Sequence, residues 1–190
     1  MRPTSRHPER GSSLIVVILI MAFMLAVGVA VLTITGVAPK MSGSVRDQEE
    51  AFNTAEAGFE AARISIEEGL VNGTITSLQD NCLKTPTGID LPTYDAYFRR
   101  QTDAALVSEL SAGTTGVLFK DQPFLKTTSG ADDTTRTYTV FLIDDEAGTS
   151  TSDATDVLLV AIGVIRSGSR ILSTSRLEVL LGLDSSGSTP

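Results

Sequence analysis

Residues 14–32 of this 190-residue chain contain no charged and no strongly polar side chain. As a helix rising about 1.5 Å per residue, such a run crosses nearly the whole ~30 Å hydrocarbon layer of a bilayer. It is apolar on every face, whereas a helix in the core of a small domain usually keeps a polar stripe. Arg2, Arg6 and Arg10 precede it. Positive charge favours the cytoplasmic side, which predicts a cytoplasmic N-terminus and an extracytoplasmic body beginning near Thr35. A cleaved secretory signal is the competing reading. It calls for a shorter apolar core of roughly 7–15 residues and a small-x-small cut site, and Val37-Ala38-Pro39 is a poor one.

The distribution of charge narrows the function classes. The first eleven residues carry three arginines against Glu9, a net of +2, so the total of −8 leaves −10 for the rest. An acidic body with scattered Lys and Arg argues against a nucleic-acid partner, because phosphate binding needs clustered cations. His7, the sole histidine, lies in the basic leader. If that leader is removed, catalytic triads and His-containing zinc sites are excluded. Cys82 is the only cysteine, so it has no intrachain disulfide partner, and without a histidine to activate it the thiol reads as buried or tolerated. No cofactor is expected. Asp132-Asp133 and Asp144-Asp145-Glu146, the latter continuing to Asp153 and Asp156, could offer oxygens to calcium. They match no calcium-loop spacing, and solvated turns use the same residues. Asp144, Asp145, Glu146 and Asp153 are therefore weak metal candidates. A glycosidase-like carboxylate pair lacks an aromatic sugar cleft, since the chain has no Trp. An enzyme is not the expected reading.

Beyond the apolar run, Gly36 and Pro39 predict a kink or a melted turn. A helix then resumes over 44–68, where Val45, Phe52, Ala55, Phe59, Ala62 and Ile66 recur at helical spacing and Asp47, Glu49, Glu50, Glu56, Glu60 and Glu67 occupy other positions. Gly69 and Asn72-Gly73 end it. Anchor and amphipathic helix together predict a rod of about 55 residues, roughly 80 Å long if straight. One half of such a rod can pack among lipids or identical rods, and the other against a globular domain.

A basic leader ending Glu9-Arg10-Gly11 stands before Ser12-Ser13-Leu14-Ile15-Val16-Val17, and downstream runs Arg46-Asp47-Gln48-Glu49-Glu50-Ala51-Phe52-Asn53-Thr54-Ala55-Glu56-Ala57-Gly58. These two separated motifs within 9–68 resemble the N-terminal region of PilX-like minor pilins of type IV pilus systems. The resemblance implies that a prepilin peptidase cuts between Gly11 and Ser12 at the cytoplasmic face, and that the new amine on Ser12 is a candidate for methylation. It implies further that Ala51, Phe52, Ala55, Glu56, Ala57 and Gly58 form the family element on the amphipathic helix. Read as residues alone, Glu56 and Gly58 are more simply a solvated acid and a close-packing point for the globular domain. In one respect the chain departs from the pattern. Major pilins usually carry a glutamate at the fifth residue after the cut, where it meets the terminal amine of a neighbouring subunit, and here that residue is Val16. A lone carboxylate in hydrocarbon is tolerable only with a partner amine. Its absence suggests a subunit at or near the filament tip, or one that primes assembly.

For the remainder, a helix is expected over 93–111 with Tyr94, Phe98, Ala105, Leu106 and Leu110 on one face, set among surface loops within 74–135. Strands are expected over 136–143, 157–166 and 171–181, with Ser167-Gly168-Ser169 as a tight hairpin. The expected fold is α+β and pilin-like: a long N-terminal membrane-spanning helix continues into an amphipathic helix packed on a C-terminal antiparallel sheet. The expected organisation is a cleaved basic leader at 1–11, a transmembrane helix at 12–38, an amphipathic continuation at 39–72, an extracytoplasmic globular domain at 73–183 with its sheet at 136–181, and a disordered tail at 184–190. The expected partners are other minor and major pilins, the prepilin peptidase, an inner-membrane assembly platform and membrane lipid. Localisation would be the inner membrane, single-pass, and then an extracellular pilus. Two alternatives stay open: a surface- or calcium-binding module or adhesin on a membrane anchor, and a pseudopilin of type II secretion.

Overall fold

The computed structural model describes residues 12–84, 88–144 and 156–182, with backbone alone at 12 and 33–42. Helix α1 spans Ser12–Val71, and the chain divides into two units, Met1–Val45 and Arg46–Pro190. In the first unit, Ser13–Leu32 is long and apolar enough to cross a membrane, with a mean hydropathy of 3.2 and none of it buried. The helical assignment continues through Gly36 and Pro39, so the expected melted turn does not form. A proline removes one donor from the helical ladder but leaves the bonds of neighbouring turns in place.

In the second unit the C-terminal part of α1 lies against a four-stranded antiparallel meander. Its strands are β1 (Val117–Pro123), β2 (Arg136–Ile143), β3 (Asp156–Ser167) and β4 (Arg170–Gly182), in the spatial order β1-β2-β3-β4. Side chains alternate across a sheet, and here both faces are covered. Val140, Leu142, Val157, Leu159 and Ala161 meet Ala62 and Ile66 of α1, with Leu78 and Cys82. On the opposite face Phe141, Ile143, Leu158, Val160, Ile162 and Val164 meet a second layer carrying Leu83, Ile89, Phe98, Leu106 and Leu110. This two-sided burial explains why β3 reads as a continuous apolar run from Val157 to Ile165. Gly168, at φ 60, opens the two-residue loop between Ser167 and Arg170 and supplies the positive φ that a tight hairpin requires.

The face of α1 that meets the sheet keeps Ala55, Phe59, Ala62 and Ile66 of the expected stripe but not Val45 and Phe52. Ala51, Thr54, Ala55, Gly58, Ala62 and Ile66 are buried, whereas Val45 and Phe52 are 55% and 44% exposed. Small residues win because the backbones come very close. A Cβ on Gly163 of β3 would collide with the Ala51 carbonyl oxygen and lie 2.6 Å from the Ala55 nitrogen. Thr54 remains buried there by donating its hydroxyl back to the Glu50 carbonyl at 2.7 Å. The helix ends as expected at Asn72-Gly73, with Gly73 at φ 70, but it passes through Gly69, against which Ile75 packs.

Two further expectations need correction. The helix expected over 93–111 is a single 3-10 turn, Phe98–Arg100, followed by α2, Asp103–Glu109. Thr102 caps α2 by accepting from the Ala105 nitrogen at 3.3 Å, so the helix starts there rather than near Pro92. Tyr94 and Ala105 are exposed, while Tyr97, Phe98, Leu106, Val107 and Leu110 are buried. Segment 74–135 is also more than a set of surface loops, since it supplies the second covering layer and the edge strand β1. Arg176 of β4 fastens that layer. It pairs with Asp103 at 2.5 Å, and donates to the carbonyls of Phe98 and Gln101, each at 3.1 Å.

Candidate functional site

Local helix geometry gives the 51–58 element two faces. Ala51, Ala55 and Gly58 recur three and four residues apart and turn toward the sheet; a Cβ on Gly58 would sit 2.9 Å from the ring of Tyr138. Phe52 and Glu56, also one turn apart, are exposed on the other face, and Ala57 is half-buried between the two. The inner face fixes α1 to its own domain and leaves Phe52 and Glu56 available to a neighbour.

A charge network holds the start of this element in place. Arg46 donates to Glu50 at 3.1 Å, and Arg136 at the head of β2 donates to both Glu50, at 3.1 Å, and Asp133, at 3.0 Å. The hydrogen bond from Arg46, with further help from Arg136, holds the Glu50 carboxyl below its ordinary range. Asp133 is held low chiefly by the Thr135 hydroxyl and backbone N–H, and also by Arg136. Carboxyls with depressed folded-state values contribute stability that is complete above their unfolded values, 4.5 and 3.8, and is lost as pH falls through the lower folded ones. Unfolding midpoints are therefore expected to be flat above about pH 5 and to decline below it. In Arg136→Met the part of this decline due to the Arg136 contacts should shrink; an unchanged acid limb would show that the network does not link α1 to the sheet. Sequence reading placed Arg136 in a strand and Glu50 on a helix face. Nothing in a single chain signals that residues 86 apart will pair.

The other candidates are not brought together. Gly11 lies outside the described residues, and Ser12 is the first residue of α1. Asp145, Glu146 and Asp153 also lie outside the described residues, as do the 1–11 leader and the 184–190 tail. Asp144 accepts from Gln79 Nε2 at 3.3 Å. Among the described residues no group of three or more His, Cys, Asp or Glu side chains is placed to hold a metal ion. Cys82 is buried, its thiol turned to the Leu78 carbonyl at 3.5 Å, and burial pushes its pKa up to about 12. The thiolate that alkylates is then a negligible fraction at neutral pH. Iodoacetamide is expected to label Cys82 only after denaturation, and mass spectrometry of native protein showing rapid labelling would contradict this placement.

The fold is α+β and pilin-like, with an apolar N-terminal helix and helical packing on a four-stranded antiparallel sheet. Residues 10–60 match the family described as PilX N-terminal, so this part of the chain is a PilX-like pilin N-terminal region. Comparison with curated proteins and with solved structures gave no match. The matched family is related to the type IV pilus and is structural rather than enzymatic, and the apolar helix fits a membrane anchor.

Proposed function

We propose that this protein is a minor pilin, built into a type IV pilus-like filament in the tip or priming complex, and not an enzyme. The observation that carries the reading is Ser13–Leu32, apolar on all sides and wholly unburied, within a region that matches the PilX N-terminus. A helix of this kind needs lipid before assembly and other apolar helices after it. The partners are the membrane lipid, the assembly platform, and other minor and major pilins. Prepilin peptidase cuts between Gly11 and Ser12 with the N-terminus cytoplasmic, Ser12 is the residue open to N-methylation, and the domain beyond the anchor ends in the extracellular filament. Val16, in place of the glutamate that would meet a neighbour's amine, supports a place where docking onto a subunit below is not repeated along the shaft.

The test is the N-terminal mass of the protein recovered from membranes with and without the peptidase. A chain starting at Ser12 only when the peptidase is present is expected. One that still starts at Met1, or that is cut after Ala38, would overturn the filament reading. Gold label found evenly along the shaft would overturn the tip position alone. A pseudopilin of type II secretion shares the same anchor and is distinguished by the machine with which the protein co-purifies. An adhesive role would appear as filaments that persist but fail to adhere when the protein is deleted.

A further inference from the structure

A cleft of about 340 Å³ opens between α2, the middle of β1 and the β3–β4 hairpin. Its polar lining consists of Lys120, Asp121 and Arg166 with the hydroxyl residues Ser108 and Ser169, over an apolar base that includes Val107. The register of β1 against β2 slips between Phe119 and Gln122, and Asp121 within this bulge has φ 47, a left-handed conformation disfavoured for a residue with a side chain. This irregularity sets Asp121 between two cations. Lys120 lies 2.8 Å from Asp121 Oδ2 and also donates to the Val107 carbonyl, while Arg166 donates to Oδ1 at 3.1 Å. Two cations share one carboxylate, leaving a local charge of +1 in a chain whose total is −8. The Arg166 Nε is sealed from solvent and makes no hydrogen bond. Folded proteins seldom leave a buried donor of this kind unmet.

We propose that this cleft binds a small monocarboxylate, held by the guanidinium of Arg166 and the ammonium of Lys120, with the hydroxyls of Ser108 and Ser169 within the same enclosure. One carboxylate brings the local charge to zero, whereas a phosphate dianion would overshoot it. A planar carboxylate matches the guanidinium fork. The volume lies at the lower end of those that hold small molecules and leaves room for the carboxylate's substituent.

The proposal is tested on the full chain in detergent micelles, by titrating sodium acetate while following the amide resonances of Ser108, Asp121 and Ser169. Sodium chloride and inorganic phosphate at matched ionic strength are run in parallel. Acetate is expected to give saturable shifts confined to the cleft. In Arg166→Gln the apparent affinity should fall roughly tenfold or more, as loss of a charge-assisted bond implies. Lys120→Met, which leaves Arg166 in place, should weaken acetate in the same direction and serves as the deciding variant if Arg166→Gln disturbs the spectrum globally. Shifts that fail to saturate, that chloride reproduces, or that survive both substitutions would overturn the site. Phosphate binding as tightly as acetate would overturn the assignment to a monocarboxylate.

Discussion

Replacing Gly163 by valine is expected to destabilise the folded domain by about 3 kcal/mol, the upper end for overpacking a rigid contact. In thermal unfolding of the full chain in detergent this is a drop of roughly 6–12 °C in the midpoint for a protein of this size. The obstacle to the new side chain is backbone, the Ala51 carbonyl oxygen and the Ala55 nitrogen, which cannot rotate aside as a flexible side chain would. Alanine at the same position should be destabilising in the same direction by a smaller amount. Gly182 near the end of β4 has open space around it, so Gly182→Ala should stay within about 0.5 kcal/mol of the parent. If Gly163→Val matches the parent, α1 does not rest on β3 at the separation described.

Phe98→Ala is the second large effect, expected at about 3–5 kcal/mol for deletion of a fully buried aromatic side chain. Phe98 is the hub of the layer that covers the sheet opposite α1. Its ring meets Tyr97 at 4.8 Å and Phe141 at 6.5 Å, both edge-on, and Arg99 lies 5.1 Å from its centroid. Its nitrogen donates to the Ile89 carbonyl at 3.0 Å, and its own carbonyl accepts from Arg176. Truncation should therefore loosen the 83–110 layer first. Hydrogen exchange is expected to accelerate at Leu106 and Leu110 more than at Val140 or Val160, which other strands hold. A loss below about 1 kcal/mol, or uniform acceleration, would show that the layer does not depend on this ring.

What could be read from the chain follows from how each element declares itself. β2, β3 and β4 were legible as runs of branched aliphatic residues with Gly168 between the last two, and their observed limits differ from the reading by a residue or so. The helix over 44–68 was legible too, and Ala55, Phe59, Ala62, Ile66 and the close-packing Gly58 of its inner face were read correctly. Only Val45 and Phe52 were misplaced, because the closest approach at that end is made by Ala51, whose value lies in its small side chain. β1 lies in the stretch 74–135 that was read as surface loops around a helix, and its Lys120, Asp121 and Pro123 in fact belong to a bulged edge strand. In the covering layer Phe98, Leu106 and Leu110 were read on one long helical face, but the chain there is a 3-10 turn and the short α2, held by long-range partners such as Arg176. The Glu9-Arg10-Gly11 leader and the 51–58 element were visible as local motifs. The Glu50–Arg136 link and the Lys120–Asp121–Arg166 cleft exist only once strands distant in sequence meet.

The small residues on the inner face of α1 also matter during synthesis. The ribosome makes residues 51–62 more than a hundred residues before Gly163, so this helical face must wait without its strand. A stripe of alanine, glycine and threonine presents little apolar area to chaperones, to lipid or to another nascent copy. Leucines at the same positions would have made the waiting helix adhesive and the finished contact too wide. The same choice of residues that brings two backbones together in the folded domain thus exposes little apolar area in the unfinished chain.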